Sequence, residues 1–266
     1  MHLVSGAERD AFAAQSATFS TGDVGVVWPD VKNVAIARAR NDQKGSGLMA
    51  RSKSSSEWMR QHVTDQYVKR AARDGFRSRA AFKLQEINDR DKLIKPGMCV
   101  VDLGAAPGGW SQLVAPLVGA QGKVLALDML AMDPIPNVER IQGDFREQTV
   151  LERLEQALEG RPVDLVLSDM APNISGVRDA DQTRWAHLSE LAMDFARTHL
   201  KPGGALLVKC FQGAGVDELR REMSALFDSV VVRKPKASRD RSREFFLLGR
   251  GCRRQADRPA PQAETV

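Results

Sequence analysis

The 266-residue sequence predicts an α/β fold in which a mostly parallel, seven-stranded sheet carries helices on both faces. Three observations support this fold class. From residue 99 onward, short apolar runs alternate with longer amphipathic segments, as they do in βαβ units. A glycine-rich turn follows the first apolar run, and charged residues stand at the ends of several others. With 42% hydrophobic residues the chain can bury one substantial core, which favours a single main domain.

The region before this alternation has a different character. Residues 1–50 show no clear periodicity and contain several turn formers, so we expect a poorly ordered extension there. Residues 51–56 are rich in Ser and basic residues, which indicates a flexible arm. Two helices are predicted next, over residues 57–73 and 78–91, and Ser78 is expected to be the N-cap of the second.

Regular alternation begins after the turn Lys95-Pro96-Gly97. Strands are predicted from short apolar runs at residues 99–103, 123–127, 138–142, 163–168, 205–209, 229–233 and 244–249. Helices are predicted from apolar residues at helical spacing, at residues 110–118, 149–158, 182–200 and 216–227. Helical crossovers of this length join parallel strands. We therefore expect one domain over residues 51–250, followed by a flexible basic tail over residues 251–266.

The glycine turn has the sequence DLGAAPGGW at residues 102–110. It follows a buried strand and opens a helix, so its backbone can pass close to a ligand that a Cβ would displace. The helix directs its free amides and the positive end of its dipole at the same place. The spacing D-x-G-x-x-x-G-G differs from the G-x-G-x-x-G pattern of dinucleotide-binding proteins. Turns of this kind also occur without a ligand, so other residues must support a binding site.

Charged residues follow the predicted strands at one end of the sheet. Asp102, Asp128, Asp144, Asp169 and Lys209 all lie at or just after the end of a strand. The carboxyl ends of parallel strands meet at one edge, where α/β proteins bind their ligands. Asp128 follows the glycine turn by about twenty residues, the separation at which an acid reaches the ribose hydroxyls of a bound nucleoside. A helix N-cap or a loop acid is the alternative for Asp128. Asp144 can accept a hydrogen bond from an adenine amino group while Phe145 or its neighbours pack against the ring.

The net charge of +5 conceals two basic flanks around an acidic centre. Residues 51–95 carry twelve Lys and Arg against six Asp and Glu, and residues 233–258 carry ten against three. Residues 96–232 carry only twelve basic side chains against nineteen acidic ones. Basic flanks favour a polyanionic partner such as RNA, while solvated basic faces are the alternative.

Cysteine and histidine usage argues against a metal site. Cys99, Cys210 and Cys252 are far apart and form no C-x-x-C pair, and the four histidines share no spacing. Thiols in a reducing compartment explain this pattern better than disulfides or zinc. Neither a signal peptide nor an apolar run of membrane-spanning length is recognisable. We therefore expect a cytoplasmic protein without a membrane partner.

Five motifs, taken together, resemble one enzyme family. They are SRAAFKL at 78–84, DLGAAPGGW at 102–110, SDMAPN at 168–173, VKCFQG at 208–213 and SRE at 242–244. In this order they resemble the FtsJ-type family of RNA ribose 2′-O-methyltransferases over roughly residues 51–250. The combination is far more specific than any single motif.

The resemblance implies a Rossmann-like methyltransferase fold and transfer of a methyl group from S-adenosyl-L-methionine to a ribose 2′-hydroxyl of RNA. It makes a uridine of 23S rRNA in the large ribosomal subunit the expected target. Separately, we expect a monomer, and the Cys and His pattern above predicts no metal. The family's cofactor contacts carry over to Gly108, Trp110, Asp128, Asp144 and Asp169, to which we add Gly104 of the same turn. Its catalytic tetrad carries over to Lys83, Asp169, Lys209 and Glu244, hereafter the tetrad.

The tetrad suits the chemistry of methyl transfer to a hydroxyl. A ribose 2′-hydroxyl is a poor nucleophile, so the enzyme needs alignment and a proton acceptor. Lys209 can accept a proton only as a neutral amine, a form that the Lys83 ammonium would favour and Asp169 would oppose. The residues leave open which lysine loses its proton. Glu244 is expected to hold Lys83 or the hydroxyl in place.

The basic flanks are expected to contact RNA phosphates, which position RNA without reading its bases. The residues concerned are Arg51, Lys53, Lys69, Arg70, Arg73, Arg77, Arg79, Arg233, Lys234, Lys236, Arg239, Arg241 and Arg243.

Two other classes of function remain open at this point. A nicotinamide-dependent oxidoreductase can use the same kind of sheet, but the glycine spacing and the basic flanks disfavour it. A non-catalytic RNA-binding or ribosome-assembly factor can retain the fold, but four complete tetrad positions disfavour it. Among methyltransferase substrates, tRNA and cap RNA are the alternatives to rRNA.

Overall fold

The computed structural model describes residues 65–172, 175–238 and 242–253, so the predicted extension, the arm and most of the tail lie outside the described residues. The strands are β1 (Cys99–Leu103), β2 (Lys123–Asp128), β3 (Glu139–Gln142), β4 (Val163–Ser168), β5 (Leu200–Phe211), β6 (Phe227–Arg233) and β7 (Glu244–Cys252). The helices are α1 (Gln66–Arg73), α2 (Ala80–Asp91), α3 (Gly109–Val118), α4 (Gln148–Leu158), α5 (Arg178–His199) and α6 (Val216–Leu226).

The predicted fold class is confirmed. The sheet has the order β3-β2-β1-β4-β5-β7-β6. Strands β1 to β5 are parallel to one another, and β7 is antiparallel to both β5 and β6. The strand order changes direction between β1 and β4, which is where open α/β sheets leave a crevice for a ligand at the carboxyl ends of the strands.

Helices cover both faces of the sheet because successive strand residues point to opposite sides. Val101 and Leu103 of β1 share a hydrophobic cluster with α4, α5 and α6, whereas Val100 shares a cluster with α2 and α3. The same alternation puts three polar residues on the α2 and α3 face, at the ends of their strands: Asp102, Lys209 and Glu244. None of the helices in the described ranges is long and apolar enough to cross a membrane.

Element boundaries agree with the predictions most closely in the buried strands. β1 and β4 have the predicted bounds. β5 is longer than predicted, because Leu200 also pairs with Val163 across an irregularity in register. Helix α1 begins at Gln66, because the side chain of Asp65 caps it by accepting a hydrogen bond from the Tyr67 amide. The rest of the helix predicted from residue 57 lies outside the described residues.

The prediction that Ser78 caps the second helix is wrong. Helix α2 begins at Ala80, and Arg79 occupies the N-cap position without a side-chain cap. The Ser78 side chain faces Gly109 instead, so closely that a Cβ on Gly109 would collide with Ser78 Oγ. Packing of α2 against the glycine turn therefore takes the hydroxyl away from the helix end.

Candidate active site

The glycine turn is bound to the end of β2 through Asp128. Asp128 Oδ2 accepts a hydrogen bond from the Ala106 amide at 2.9 Å, and its Oδ1 accepts one from the Leu130 amide at 2.8 Å. The amides of Gly104 and Ala105 donate to the carbonyl of Leu127. Asp128 therefore holds the turn and the loop after β2 in place, and its carboxylate lies at the crevice between them.

Two glycines of the turn are required by protein packing. Gly104 has φ +76°, and a Cβ there would lie 2.7 Å from Met170 Cγ and 2.9 Å from Met170 Cα. Gly108 has φ +103°, and its Cβ would lie 2.6 Å from Ile135 Cδ1. Both conformations favour glycine. The segments after β4 and β2 therefore pack directly onto the turn, which narrows the crevice around it.

The side chain of Trp110 is buried in the core. The indole is 2% exposed, its Nε1 donates to the Ala80 carbonyl at 2.8 Å, and its ring centroid lies 5.7 Å from that of Phe246. The indole thus fastens α3 to α2. Only the backbone of Trp110, in the first turn of α3 where amides lack helical partners, can face a ligand.

Asp102 is a fully buried acid beneath the turn. Its Oδ2 accepts a hydrogen bond from Ser111 Oγ at 2.7 Å. Burial raises the pKa of Asp102 to about 7; the Ser111 hydroxyl opposes this shift, and the nearby carboxylates of Asp169 and Asp128 add to it. The pKa lies near neutrality, so this carboxyl can be protonated or charged at physiological pH.

A small cavity beneath the turn is lined by three buried oxygens, Ser78 Oγ, Asp102 Oδ1 and Asp169 Oδ1. Ser78 Oγ and Asp102 Oδ1 have no hydrogen-bond partner among the described residues, whereas Asp169 Oδ1 lies 3.1 Å from Lys209 Nζ. Buried polar atoms without partners are rare in folded proteins. The cavity therefore suits a polar or cationic group of a ligand.

The structure brings the tetrad together as two ion pairs. Lys83 Nζ lies 2.5 Å from Glu244 Oε1, and Lys209 Nζ lies 3.1 Å from Asp169 Oδ1. Lys209 Nζ also donates a hydrogen bond to the backbone carbonyl of Asp169. All four side chains are at most 18% exposed. Two amines and two carboxylates are thus shielded from solvent beside the glycine turn.

Elements far apart in the chain position these four residues. Lys83 is on α2, and Glu244 begins β7 opposite Phe211 of β5, which is two residues beyond Lys209. The Asp169 amide donates to the Leu103 carbonyl at the end of β1. Burial alone would raise the pKa of Glu244, but the Lys83 ammonium, Lys209 and the Ser238 hydroxyl together hold it below its ordinary value. Glu244 is therefore a carboxylate at neutral pH.

Asp144 lies where it was predicted, just after β3, but it has a partner that the sequence did not indicate. Both carboxylate oxygens accept hydrogen bonds from Arg146, which lowers the pKa of Asp144. The neighbouring Phe145 is 7% exposed and packs edge-on against Phe195 in the core. Phe145 thus packs within the protein.

Three arginines predicted to contact RNA phosphates bind within the protein instead. Arg77 donates to the carbonyls of Pro107, Asp133 and Pro134, and so ties the glycine turn to the loop after β2. Arg79 pairs with Asp65 and donates to the Ala237 carbonyl. Arg233 binds Asp91 through two hydrogen bonds of 2.6 and 2.7 Å. A guanidinium serves several carbonyl or carboxylate oxygens at once, which explains these internal roles.

The remaining basic residues divide into two groups. Six are exposed: Lys69, Arg70, Arg73, Lys234, Lys236 and Arg243. Four lie outside the described residues: Arg51, Lys53, Arg239 and Arg241. Across the described ranges, three or more His, Cys, Asp or Glu side chains do not come together at any place that could hold a metal ion.

Comparisons with known proteins give the family. The FtsJ-like methyltransferase family model matches residues 76–252. A curated protein of Chromobacterium violaceum named Ribosomal RNA large subunit methyltransferase E is 61% identical over 205 residues, which cover 77% of this chain and 100% of that protein. A relative of the same name from Pseudomonas aeruginosa is 56% identical over 205 residues, covering 77% of this chain and 99% of that protein.

A solved structure agrees with these relatives. A ribosomal RNA methyltransferase of Plasmodium falciparum has a TM-score of 0.61 and 29% identity, and the match covers 66% of this chain and 98% of that one. The comparisons confirm the family, the fold and the enzyme class that the five motifs predicted. The chain belongs to the FtsJ-like methyltransferase family.

Proposed function

We propose that this methyltransferase transfers a methyl group from S-adenosyl-L-methionine to a ribose 2′-hydroxyl of RNA, and that its target is a uridine of 23S rRNA in the large ribosomal subunit. The observation that carries the proposal is the pair of buried lysine–carboxylate contacts, Lys83 with Glu244 and Lys209 with Asp169, beside the glycine turn. The names of the relatives, which match this chain over nearly their whole length, support a ribosomal target.

The residues around the crevice fit the proposed cofactor, which supplies a methyl group activated by a sulfonium. Two unpartnered oxygens at the buried cavity, Ser78 Oγ and Asp102 Oδ1, suit a polar or charged group of that cofactor. Asp128 would hold the ribose hydroxyls, and Asp144 would accept from the adenine amino group. Gly104, Gly108 and the backbone of Trp110 would let the chain approach the cofactor closely.

In the proposed reaction, the tetrad aligns the 2′-hydroxyl and removes its proton. Lys209 acts as a neutral amine whose Nζ takes up the proton, and Asp169 orients that amine through its carboxylate and its backbone carbonyl. Glu244 holds the Lys83 ammonium 2.5 Å away, so the second lysine contributes positive charge where the alkoxide forms.

The exposed basic residues would bind the RNA backbone, with Lys69 and Lys236 on the two flanks. The proposal includes a monomeric, cytoplasmic enzyme whose methyltransferase domain spans residues 51–250. Its acidic centre suits a cationic cofactor, and its basic flanks suit a polyanionic substrate.

Mapping of ribose methylation in cells lacking the gene tests this proposal. We expect one uridine of 23S rRNA to lose its 2′-O-methyl group, and we expect wild-type protein but not Lys209→Ala to restore it. Loss of a tRNA methyl group instead would assign a different RNA. An unchanged methylation map, with ribosome assembly rescued equally by Lys209→Ala, would indicate a non-catalytic assembly factor.

A further inference from the structure

A serine that no motif indicated lies against the tetrad. Ser238, on the connection between β6 and β7, is only 6% exposed. Its hydroxyl donates a hydrogen bond of 3.2 Å to Glu244 Oε1. The same oxygen lies 2.5 Å from Lys83 Nζ. Two donors from different elements thus converge on one carboxylate oxygen.

The backbone around Ser238 is fixed to the helix that carries Lys83. The Ser238 amide donates to the Pro235 carbonyl at 2.9 Å, and the Lys236 amide donates to Glu86 Oε2 of α2 at 2.8 Å. Arg79, at the start of α2, donates to the Ala237 carbonyl. The segment that carries the hydroxyl is therefore bonded to α2, so the hydroxyl keeps its position relative to Lys83.

The contacts of the two lysines differ. Glu244 contacts the Lys83 ammonium and the Ser238 hydroxyl, whereas Lys209 contacts Asp169. A carboxylate has two oxygens and a freely rotating end, so an added donor selects one orientation. A rotation away from Lys83 would leave that ammonium without the carboxylate oxygen that lies 2.5 Å from it.

We infer that Ser238 is a positioning residue that holds Glu244 Oε1 on Lys83 and so fixes the Lys83 ammonium in place for the ribose hydroxyl. This inference rests on the proposed function, because it gives Glu244 its task within the tetrad. Ser238 acts only through Glu244 and does not touch the reacting atoms.

Ser238→Ala tests the inference, with Ser189→Ala as a matched control. Ser189 is also buried, at 4% exposure, but its hydroxyl donates to the Trp185 carbonyl of its own helix. We expect Ser238→Ala to slow single-turnover methylation of RNA about tenfold, the size of one hydrogen bond to a charged group. Affinity for the methyl donor and for RNA should not change, and Ser189→Ala should behave as wild type.

A double-mutant cycle with Glu244→Gln separates positioning from a general structural effect. If Ser238 acts through the Glu244 carboxylate, Ser238→Ala should cost no further rate in the Glu244→Gln background. An equal tenfold loss in both backgrounds would overturn the inference, because the hydroxyl would then act elsewhere. A rate for Ser238→Ala equal to that of Ser189→Ala would overturn it as well.

A titration of the Glu244 carboxyl tests the contact without any methyl transfer. With carbon-13 in glutamate side chains and Glu244→Gln to assign the signal, Ser238→Ala should raise the pKa of Glu244, because a donor to the charged form is lost. An unchanged titration contradicts the inference even if all variants are active. Failure of wild-type protein and Ser189→Ala to methylate RNA would instead remove the proposed function, and the titration would still decide the contact.

Discussion

The turn region, residues 102–144, and the tetrad are built by different kinds of interaction. In the turn region, Asp128 binds backbone amides, and Gly104 admits a neighbouring backbone at a distance that a Cβ would not allow. The tetrad instead joins side chains from α2, the end of β4, β5 and β7 through two ion pairs. The turn region should therefore be sensitive to added volume, and the tetrad to lost charge.

The two kinds of construction also separate two tasks. Backbone amides and carbonyls are fixed once the strands form, so the turn region can be a preformed binding site. Buried ion pairs contribute little net stability, but removal of one partner leaves an uncompensated charge. The tetrad is thus placed for chemistry, and the fold depends mainly on its apolar clusters on both faces of the sheet.

The largest effect is expected from loss of the proposed proton acceptor. Lys209→Ala should reduce single-turnover methylation by about 10²–10⁴-fold, the usual contribution of a general base, and should leave donor affinity within about threefold of wild type. Single-turnover kinetics with RNA and calorimetric donor titration measure the two quantities. A Lys209→Ala enzyme that methylates RNA at the wild-type rate would contradict this assignment. Loss of binding of the methyl donor by Lys209→Ala would show that the turn region depends on the tetrad.

Gly104→Ala should damage the turn region by adding volume, whereas Lys209→Ala removes a charge from the tetrad. An added Cβ meets Met170 Cγ at 2.7 Å and needs φ +76°, so unfolding free energy should fall by about 3 kcal/mol and donor binding should weaken with it. Urea denaturation and donor titration measure these changes. Gly160→Ala is the control, because Gly160 has φ +71° but open space around its Cβ position. Equal losses in both variants would mean that strain, and not packing on the turn, limits Gly104.

The sequence predicted best what depends on local pattern. The bounds of β1 and β4 follow from runs of apolar residues, and the position of Asp128 beside the turn follows from spacing alone. The convergence of Asp169 and Lys209 at one edge follows from parallel strands. Pairing of Lys83 with Glu244 came from the resemblance to a family, because α2 and β7 are too far apart in the chain for spacing to connect them.

Contacts between distant segments could not be predicted in this way. Ser78 looks like an N-cap in sequence, yet the packing of α2 on Gly109 directs its hydroxyl into the cavity. Arg233 looks like a surface cation, yet it binds the carboxylate of Asp91 on another element. Ser238 gave no signal, because its partner Glu244 meets it only when β6 and β7 pair. In each case the partner of the residue lies on a distant segment, so the local sequence does not reveal the contact.

A smaller effect, confined to the turn region, should appear as a pH dependence of stability. The pKa of Asp102 is raised to about 7 in the folded protein, so the folded state keeps a proton that the unfolded chain loses near pH 4. The contribution of this group to stability is therefore present at low pH and is lost as pH rises from about 4 to 7. Relative to wild type, Asp102→Asn should gain up to about 1.4 kcal/mol per pH unit across that window and nothing further above it.

Urea denaturation of wild-type and Asp102→Asn protein at pH 5, 6, 7 and 8 measures this difference. A stability difference that stays constant across these pH values would show that Asp102 does not change its charge within the window. The turn region would then contain a permanent buried charge, as the tetrad does with Glu244, and the two regions would differ less in their construction.

The smallest effect is expected for the exposed basic residues near the tetrad, which we propose to contact RNA phosphates. Lys236 is exposed on the same connection as Ser238, and its side chain is free to contact a phosphate. Lys236→Ala should weaken RNA binding about threefold and reduce the slope of log affinity against log salt by about one. Lys95→Ala, which removes an exposed lysine at the opposite end of β1, should change neither quantity. If both variants have the same slope as wild type, the connection between β6 and β7 does not contact the RNA phosphates. RNA must then approach the tetrad from the α1 side.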